Sequence, residues 1–95
     1  MNKYKLFFCQ EDGKFKLAQV IECDLKEAHR SADELANESG KKILLCLAAI
    51  DGSANCLSLA TFTGNRTYIT DFGEKYCMSE EYASAECIGK GGAQA

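Results

Sequence analysis

The residues that could carry out chemistry in this 95-residue chain are its six cysteines and its one histidine, His29. Six thiols in a short chain suggest disulfides if the protein is secreted. A secretory signal needs about 7–15 apolar residues, whereas the apolar stretch near this N-terminus runs only from Leu6 to Cys9. We therefore expect a cytoplasmic protein in which most thiols are reduced and pack as small apolar side chains. The alternative is that some of the cysteines are bridged, reactive or bound to a metal; the six are Cys9, Cys23, Cys46, Cys56, Cys77 and Cys87.

Two cysteine pairs, Cys46 with Cys56 and Cys77 with Cys87, have the same nine-residue spacer. Zinc sites bring their ligands in pairs about two to four residues apart, so this spacing does not favour a metal. Between Cys46 and Cys56, the nine-residue spacer is typical of a strand, a turn and a second strand. Such a hairpin can place both thiols side by side. We expect no bound metal and no cofactor.

A thiol enzyme would need an activated cysteine, and Cys23 is the best candidate because it immediately precedes the predicted helix start at Asp24. A helix N-terminus lowers a thiol pKa, but the Asp24 charge opposes that effect. His29 lies more than one helical turn further along, so it is poorly placed as the base. We expect His29 to be a partly exposed helix residue. We expect no catalytic residue; a small cysteine-dependent enzyme or redox protein is an alternative.

Apolar periodicity and turn signals place these residues on strands and helices in the order ββαβββα. Asp24 followed by Glu27 is the pattern of a capping box, and Gly40 can end the helix in the left-handed conformation. Predicted strands cover 3–9, 14–23, 42–50, 56–63 and 66–72, and predicted helices cover 24–40 and 79–88. The sequence thus predicts one α+β domain over 1–88, with a five-strand, mainly antiparallel sheet, both helices on one face, and a flexible Gly-rich tail at 89–95.

The predicted core consists of the apolar residues that alternate on the strands or recur on the first helix. Strand 42–50 is apolar on both faces, so we expect it to be central and covered on both sides. No stretch approaches the roughly 18 apolar residues of a membrane span. The core residues expected are Leu6, Phe8, Phe15, Leu17, Ile21, Leu25, Leu35, Leu45, Leu47, Leu59 and Ile69.

Charge is distributed unevenly along a chain whose net charge is −3. Ten of its 14 acidic residues lie within 24–38 and 71–86, the two helical regions, so we expect an acidic helix side. Such a side favours a protein partner with a basic surface. The expected contacts are Asp33, Glu34, Glu38, Glu80 and Glu81. The alternative is nucleic-acid binding through the lysine face of the N-terminal hairpin, formed by Lys3, Lys5, Lys14 and Lys16.

From Asp24 onward, the order αβββα is similar to that of a double-stranded-RNA-binding domain. That family carries lysines at the start of its last helix, where they meet phosphates. The matching residues here are Ser79, Glu80 and Glu81, which would repel phosphates, so we rank nucleic acid below protein as a partner.

The short hairpin followed by Asp24-Leu25-Lys26-Glu27-Ala28 and an apolar strand resembles small α+β proteins of phages and mobile elements, such as anti-CRISPR proteins. The resemblance covers architecture only. It implies a non-enzymatic inhibitor that occupies a surface of a host defence complex. We therefore expect a protein-binding module with no membrane contact. A homodimer through an edge strand is a further expectation, since 66–72 carries few blocking charges.

Overall fold

The computed structural model describes residues 2–77, which form one α-helix and six β-strands. In chain order these are β1 (Asn2–Cys9), β2 (Phe15–Cys23), α1 (Leu25–Ser39), β3 (Ile43–Ala48), β4 (Cys56–Gly64), β5 (Thr67–Thr70) and β6 (Lys75–Cys77). The sheet order is β2-β1-β3-β4-β5-β6, and every neighbouring pair is antiparallel. The predicted α+β class is confirmed, with six strands instead of five. The predicted second helix at 79–88 and the tail at 89–95 lie outside the described residues.

Helix α1 begins and ends where its capping pattern predicts. The Asp24 carboxylate accepts a hydrogen bond from the Glu27 N–H at 2.9 Å. Gly40, in the left-handed region at φ 69°, donates its N–H to the Ala36 carbonyl at 3.0 Å. In a complete capping box the Glu27 carboxylate also accepts from the Asp24 N–H, but here it pairs with Arg30 Nη1 at 3.3 Å. Within residues 2–77, no helix combines the length and apolar character that crossing a membrane requires.

The core lies between α1 and one face of the sheet. Three essentially fully buried alanines of the helix, Ala28, Ala32 and Ala36, line this interface. Their short side chains allow the helix to approach the strands closely. The largest fully buried apolar side chains opposite them are Leu6, Ile43, Leu45, Phe62 and Tyr68. The predicted core residues Phe8, Ile21, Leu25, Leu35, Leu47 and Leu59 are partly buried and pack against this cluster.

A β-bulge in β2 changes which side chains point towards the core. Phe7 lies opposite Leu17, but the preceding residue of β1, Leu6, lies opposite Gln19. Ala18 is therefore an extra residue on β2. Because side chains alternate strictly along a strand, one extra residue reverses the face of everything beyond it.

The predictions that Phe15, Leu17 and Ile69 belong to the core are wrong. Phe15 and Leu17 are 58% and 51% exposed, because they lie on the opposite side of the bulge from Ile21, which packs against the core. Ile69 lies opposite Thr61 on the face away from α1 and is 37% exposed. Only the register of the folded sheet distinguishes these residues from true core residues.

The predicted strand 66–72 is shorter in the structure and is not an edge strand. It ends at Thr70, where a turn with Gly73 at φ 84° reverses the chain. The turn is closed by the Thr70 N–H, which donates to the Glu74 carbonyl at 2.8 Å. β6 then pairs with β5 and covers its outer edge. β6 thus occupies the edge of β5 on which the predicted homodimer through 66–72 depends, and the edge strands of the described sheet are β2 and β6.

Strand β3 lies in the middle of the sheet, as predicted, between β1 and β4. Within residues 2–77, however, α1 covers only one of its faces. The expectation of cover on both faces is not met by these residues. The uncovered face is the one that carries the candidate site.

Candidate functional site

The face of the sheet opposite α1, which we call the open face, carries a mainly apolar row that crosses five strands. Each member lies directly opposite the next in the sheet register. Neighbouring strands are about 4.8 Å apart, so the row is about 19 Å long. We call this set the apolar row; in sheet order it is Leu17, Phe7, Leu44, Thr61 and Ile69.

Large apolar side chains on the open face are well exposed to solvent. Phe15 and Leu17 are joined on β2 by Val20, which lies opposite Lys5 and is 47% exposed. Isolated exposed apolar residues are ordinary on protein surfaces, but a contiguous group marks an interaction site. Here the exposed residues continue into the half-buried Phe7 and form one surface.

A shallow depression of about 500 Å³ lies beside the apolar row. Its polar side is organised by Ser58, whose Oγ donates to Asp71 Oδ1 at 2.9 Å. Its remaining walls are apolar side chains and thiols. The lining residues are Phe7, Phe15, Leu44, Cys46, Cys56, Ser58 and Asp71.

Lysines surround the apolar row on the open face. Lys3 and Lys5 precede Phe7 on β1, and Lys75 lies opposite Ile69 at the β6 edge. Lys42 immediately precedes β3, at the other end of the strands from Lys3. The result is an apolar centre with a mainly basic border.

The four lysines of the predicted nucleic-acid face do not share one face. Lys3 and Lys5 lie on the open face, but Lys16 lies opposite Phe8, a residue that packs against the core on the α1 side. Lys14 belongs to the preceding turn, where its N–H donates to Asp12 Oδ1 at 2.9 Å. The prediction of a continuous lysine face is wrong. The extra residue at the bulge in β2 turns the Lys16 side chain to the face opposite that of Lys3 and Lys5.

Two thiols on the open face are neighbours. Cys46 on β3 lies opposite Ser58, and Cys56 on β4 lies opposite Ala48, so the two cysteines are diagonal neighbours across the β3–β4 pair. Cys46 is 2% exposed and Cys56 is exposed. Burial, and then the adjacent Cys56 thiol, raise the pKa of Cys46 to about 12.

Cys23, the candidate nucleophile, has an environment that disfavours the thiolate. Burial raises its pKa, and the charges of Asp24 and Glu27 raise it further. These acidic neighbours outweigh any benefit from the N-terminus of α1.

His29 is buried in the core, so the expectation of a partly exposed helix residue is wrong. Its ring is 3% exposed and meets Phe62 and Tyr68 edge-on, with centroids 5.2 and 4.9 Å away. Burial lowers the pKa of His29 to about 4. Its side chain faces β4 and β5 on the α1 side, so His29 has a packing role.

One residue of the predicted acidic surface is also misplaced. Asp33 was expected on the exposed side of α1, but it is 5% exposed. Burial raises the pKa of Asp33, while the nearby Arg66 lowers it. Glu34 and Glu38 are exposed, as expected, and Glu80 and Glu81 lie outside the described residues.

Comparison with known proteins finds no matching family model, no matching curated protein and no matching solved structure.

Proposed function

We propose that this chain is a non-catalytic protein-binding module that receives its partner on the open face of the sheet. The observation that carries the proposal is the apolar row, whose ends at Leu17 and Ile69 are 51% and 37% exposed. Burial of apolar area is the main favourable term in protein association. A sheet face of this kind is a suitable surface for it.

The border of the row determines the chemistry of the partner. Lys3, Lys5, Lys42 and Lys75 surround the apolar centre, and two carboxylates lie among them: Asp71, which accepts a hydrogen bond from Ser58, and Glu22, which lies opposite Lys3 in the sheet register. Opposite charge at the rim steers association and selects the partner. The partner should therefore present an apolar surface flanked by acidic side chains.

The outer side of α1 is a weaker candidate for the interface. Asp33 is turned inwards, and Glu27 is paired with Arg30 at 3.3 Å. Glu34 and Glu38 are then the exposed acids of α1 available to the basic partner expected from the sequence. Two exposed carboxylates without an apolar centre offer little affinity, because exposed ion pairs contribute about 0–1 kcal/mol each.

Single-stranded nucleic acid is the competing class of ligand. Such ligands bind sheets through stacked aromatic rings in a basic groove. The open face has two aromatic rings, Phe7 and Phe15, but the rest of its apolar surface is aliphatic, and the chain's net charge is −3. The aliphatic surface and the negative net charge favour a protein ligand over a single-stranded nucleic acid.

Inhibition of a host defence complex by a phage or mobile-element protein is the setting that we propose for this binding. A small protein that covers a subunit surface needs one exposed apolar face and no catalytic group. The open face meets the first requirement.

The test compares three versions of the full chain as bait in a lysate of the source cell: wild type, Leu17→Asp and Leu57→Asp. Leu57 is the matched control because it is 60% exposed but lies opposite Leu47, on the α1 side of the sheet. A protein retained by wild type and Leu57→Asp is then purified, and its Kd for each version is measured by calorimetry. We expect Leu17→Asp to weaken binding at least tenfold, since burying a leucine is worth about 1.5–3 kcal/mol.

Four outcomes would contradict the proposal. Equal binding by wild type and Leu17→Asp would exclude the open face. Retention that disappears on nuclease treatment would identify nucleic acid as the ligand. A complex made only of copies of this chain would identify self-association. A further version, Glu34→Lys, tests the helix: loss of its binding, with Leu17→Asp unaffected, would move the interface to the outer side of α1.

A further inference from the structure

The hairpin formed by β3 and β4 brings two thiols together on the open face. The seven-residue connection between the strands is closed by the Ala49 N–H, which donates to the Asn55 carbonyl at 3.1 Å. Pairing therefore continues up to the first residue of β4, Cys56. This keeps the Cys56 side chain beside that of Cys46 on the same face of the sheet.

The two thiols differ in access to solvent. Cys56 is exposed, so a dissolved reagent can reach it. Cys46 is 2% exposed, and the thiol of Cys56 is its neighbour. One accessible thiol with a second, shielded thiol in contact is the arrangement of an attacking and a resolving cysteine.

We propose that Cys46 and Cys56 form a reversible disulfide by exchange with a low-molecular-weight disulfide such as glutathione disulfide. The inference does not depend on the proposed partner, because the exchange requires only this chain. It adds a modification site to the open face, in the wall of the depression beside Phe7 and Leu44.

The exchange has two balanced steps. In the first, the Cys56 thiolate attacks one sulfur of glutathione disulfide, forms a mixed disulfide and releases one glutathione thiolate. In the second, the Cys46 sulfur, after losing its proton to solvent, attacks the Cys56 sulfur and releases the second glutathione. Two protein thiols are oxidised and one glutathione disulfide is reduced to two thiols.

The first step removes one cause of the weak acidity of Cys46. In the reduced protein, burial and the Cys56 thiol both raise the pKa of Cys46. In the mixed disulfide, Cys56 can no longer carry a negative charge, so its electrostatic contribution is lost.

The experiment uses the reduced full chain incubated with glutathione disulfide at pH 7 and pH 8. Samples are quenched in acid, free thiols are alkylated, and the chain is digested with trypsin. Cleavage after Lys42 and Arg66 releases peptide 43–66, which contains Cys46 and Cys56 and no other cysteine. We expect this peptide to appear unalkylated and lighter by two hydrogens, to form faster at pH 8 than at pH 7 because the thiolate is the attacking species, and to return to the dithiol form in excess reduced glutathione.

Variants distinguish the two roles. Cys46→Ala should accumulate the glutathione adduct at Cys56, whereas Cys56→Ser should react at least tenfold more slowly because its remaining thiol is shielded. Cys56 is exposed, so Cys56→Ser should fold normally, and Cys23→Ser serves as the control that leaves the bridge unchanged. The proposal is overturned if peptide 43–66 keeps two alkylated thiols, carries two glutathiones, or is joined to another cysteine of the chain.

Discussion

The ring of His29 stands nearly perpendicular to the ring of Tyr68, with the two centroids 4.9 Å apart. Tyr68 is in turn stacked on Phe62 at 4.9 Å and on Tyr76 at 5.3 Å. The helix thus places its imidazole edge-on against an aromatic stack that crosses β4, β5 and β6. This contact keeps the imidazole away from water and requires its neutral form.

Acid should destabilise the protein through His29. Burial lowers the pKa of His29 from 6.5 to about 4, so between these values the unfolded chain binds more protons than the folded one. The contribution of neutral His29 to the free energy of unfolding is therefore fully present well above pH 6.5. It falls as the pH drops towards 4, by about 2 kcal/mol at pH 5. Urea unfolding at pH 7 and pH 5 measures the change.

The control for this prediction is His29→Phe, which retains a ring in the aromatic contact. His29 is the only histidine of the chain, so this variant should lose most of the decline between pH 7 and pH 5. Asp33 acts in the opposite sense, because burial raises its pKa and favours its protonated form in the folded state. An equal decline in wild type and His29→Phe would show that other groups cause it.

Two leucines that the sequence places in the core should respond differently to truncation. Leu45 is fully buried and Leu17 is 51% exposed. Leu45→Ala should cost about 2–5 kcal/mol, because it removes buried methyl groups and leaves a cavity, whereas Leu17→Ala should cost less than about 1 kcal/mol. Denaturant unfolding of both variants measures the difference, and equal costs would contradict the assigned register of β2.

Asn37 should stabilise the packing of the end of α1 against the β4–β5 hairpin. Its Oδ1 accepts from the Asn65 N–H at 2.7 Å, and its Nδ2 donates to Asp33 at 3.4 Å. Asn37→Ala removes both bonds, so we expect a loss of about 1–2 kcal/mol in the free energy of unfolding. The matched control is Asn55→Ala, at an exposed position in the β3–β4 loop, which should change stability by less than about 0.5 kcal/mol.

The N-cap of α1 should be replaceable only by a side chain that accepts a hydrogen bond. Asp24→Ala removes the bond to the Glu27 N–H and should cost about 1 kcal/mol. Asp24→Asn keeps an acceptor oxygen and should retain most of the stability. Thermal unfolding followed by circular dichroism compares the two; an identical loss in both variants would mean that the negative charge, not the hydrogen bond, is what matters.

Local patterns were sufficient for the elements whose signals lie within a few residues. The capping pair Asp24 and Glu27 marks the start of α1, and Gly40 marks its end. The short β6 was missed because three residues carry little periodicity, and the apolar Phe72 in the preceding turn resembled a strand residue.

The composition of the open face also had a signal in the sequence. Phe7 interrupts the polar side of β1, and β3 is apolar on both faces. An apolar pattern on both faces of β3 predicts that each face is covered by another element or molecule. The pattern does not say whether that cover comes from the chain itself or from a partner. In residues 2–77, α1 covers the first face and the second remains open.

The sequence by itself determined the class of the fold, the limits of α1 and the nine-residue spacer that allows Cys46 to meet Cys56. Only the tertiary structure decided which face each side chain occupies. The physical reason is that alternation along a strand is local, but one unpaired residue such as Ala18 reverses it, and a bulge arises from pairing with a neighbouring strand. Leu17 lies on the open face and Asp33 on the buried side of α1 because of packing between elements, which no local pattern encodes.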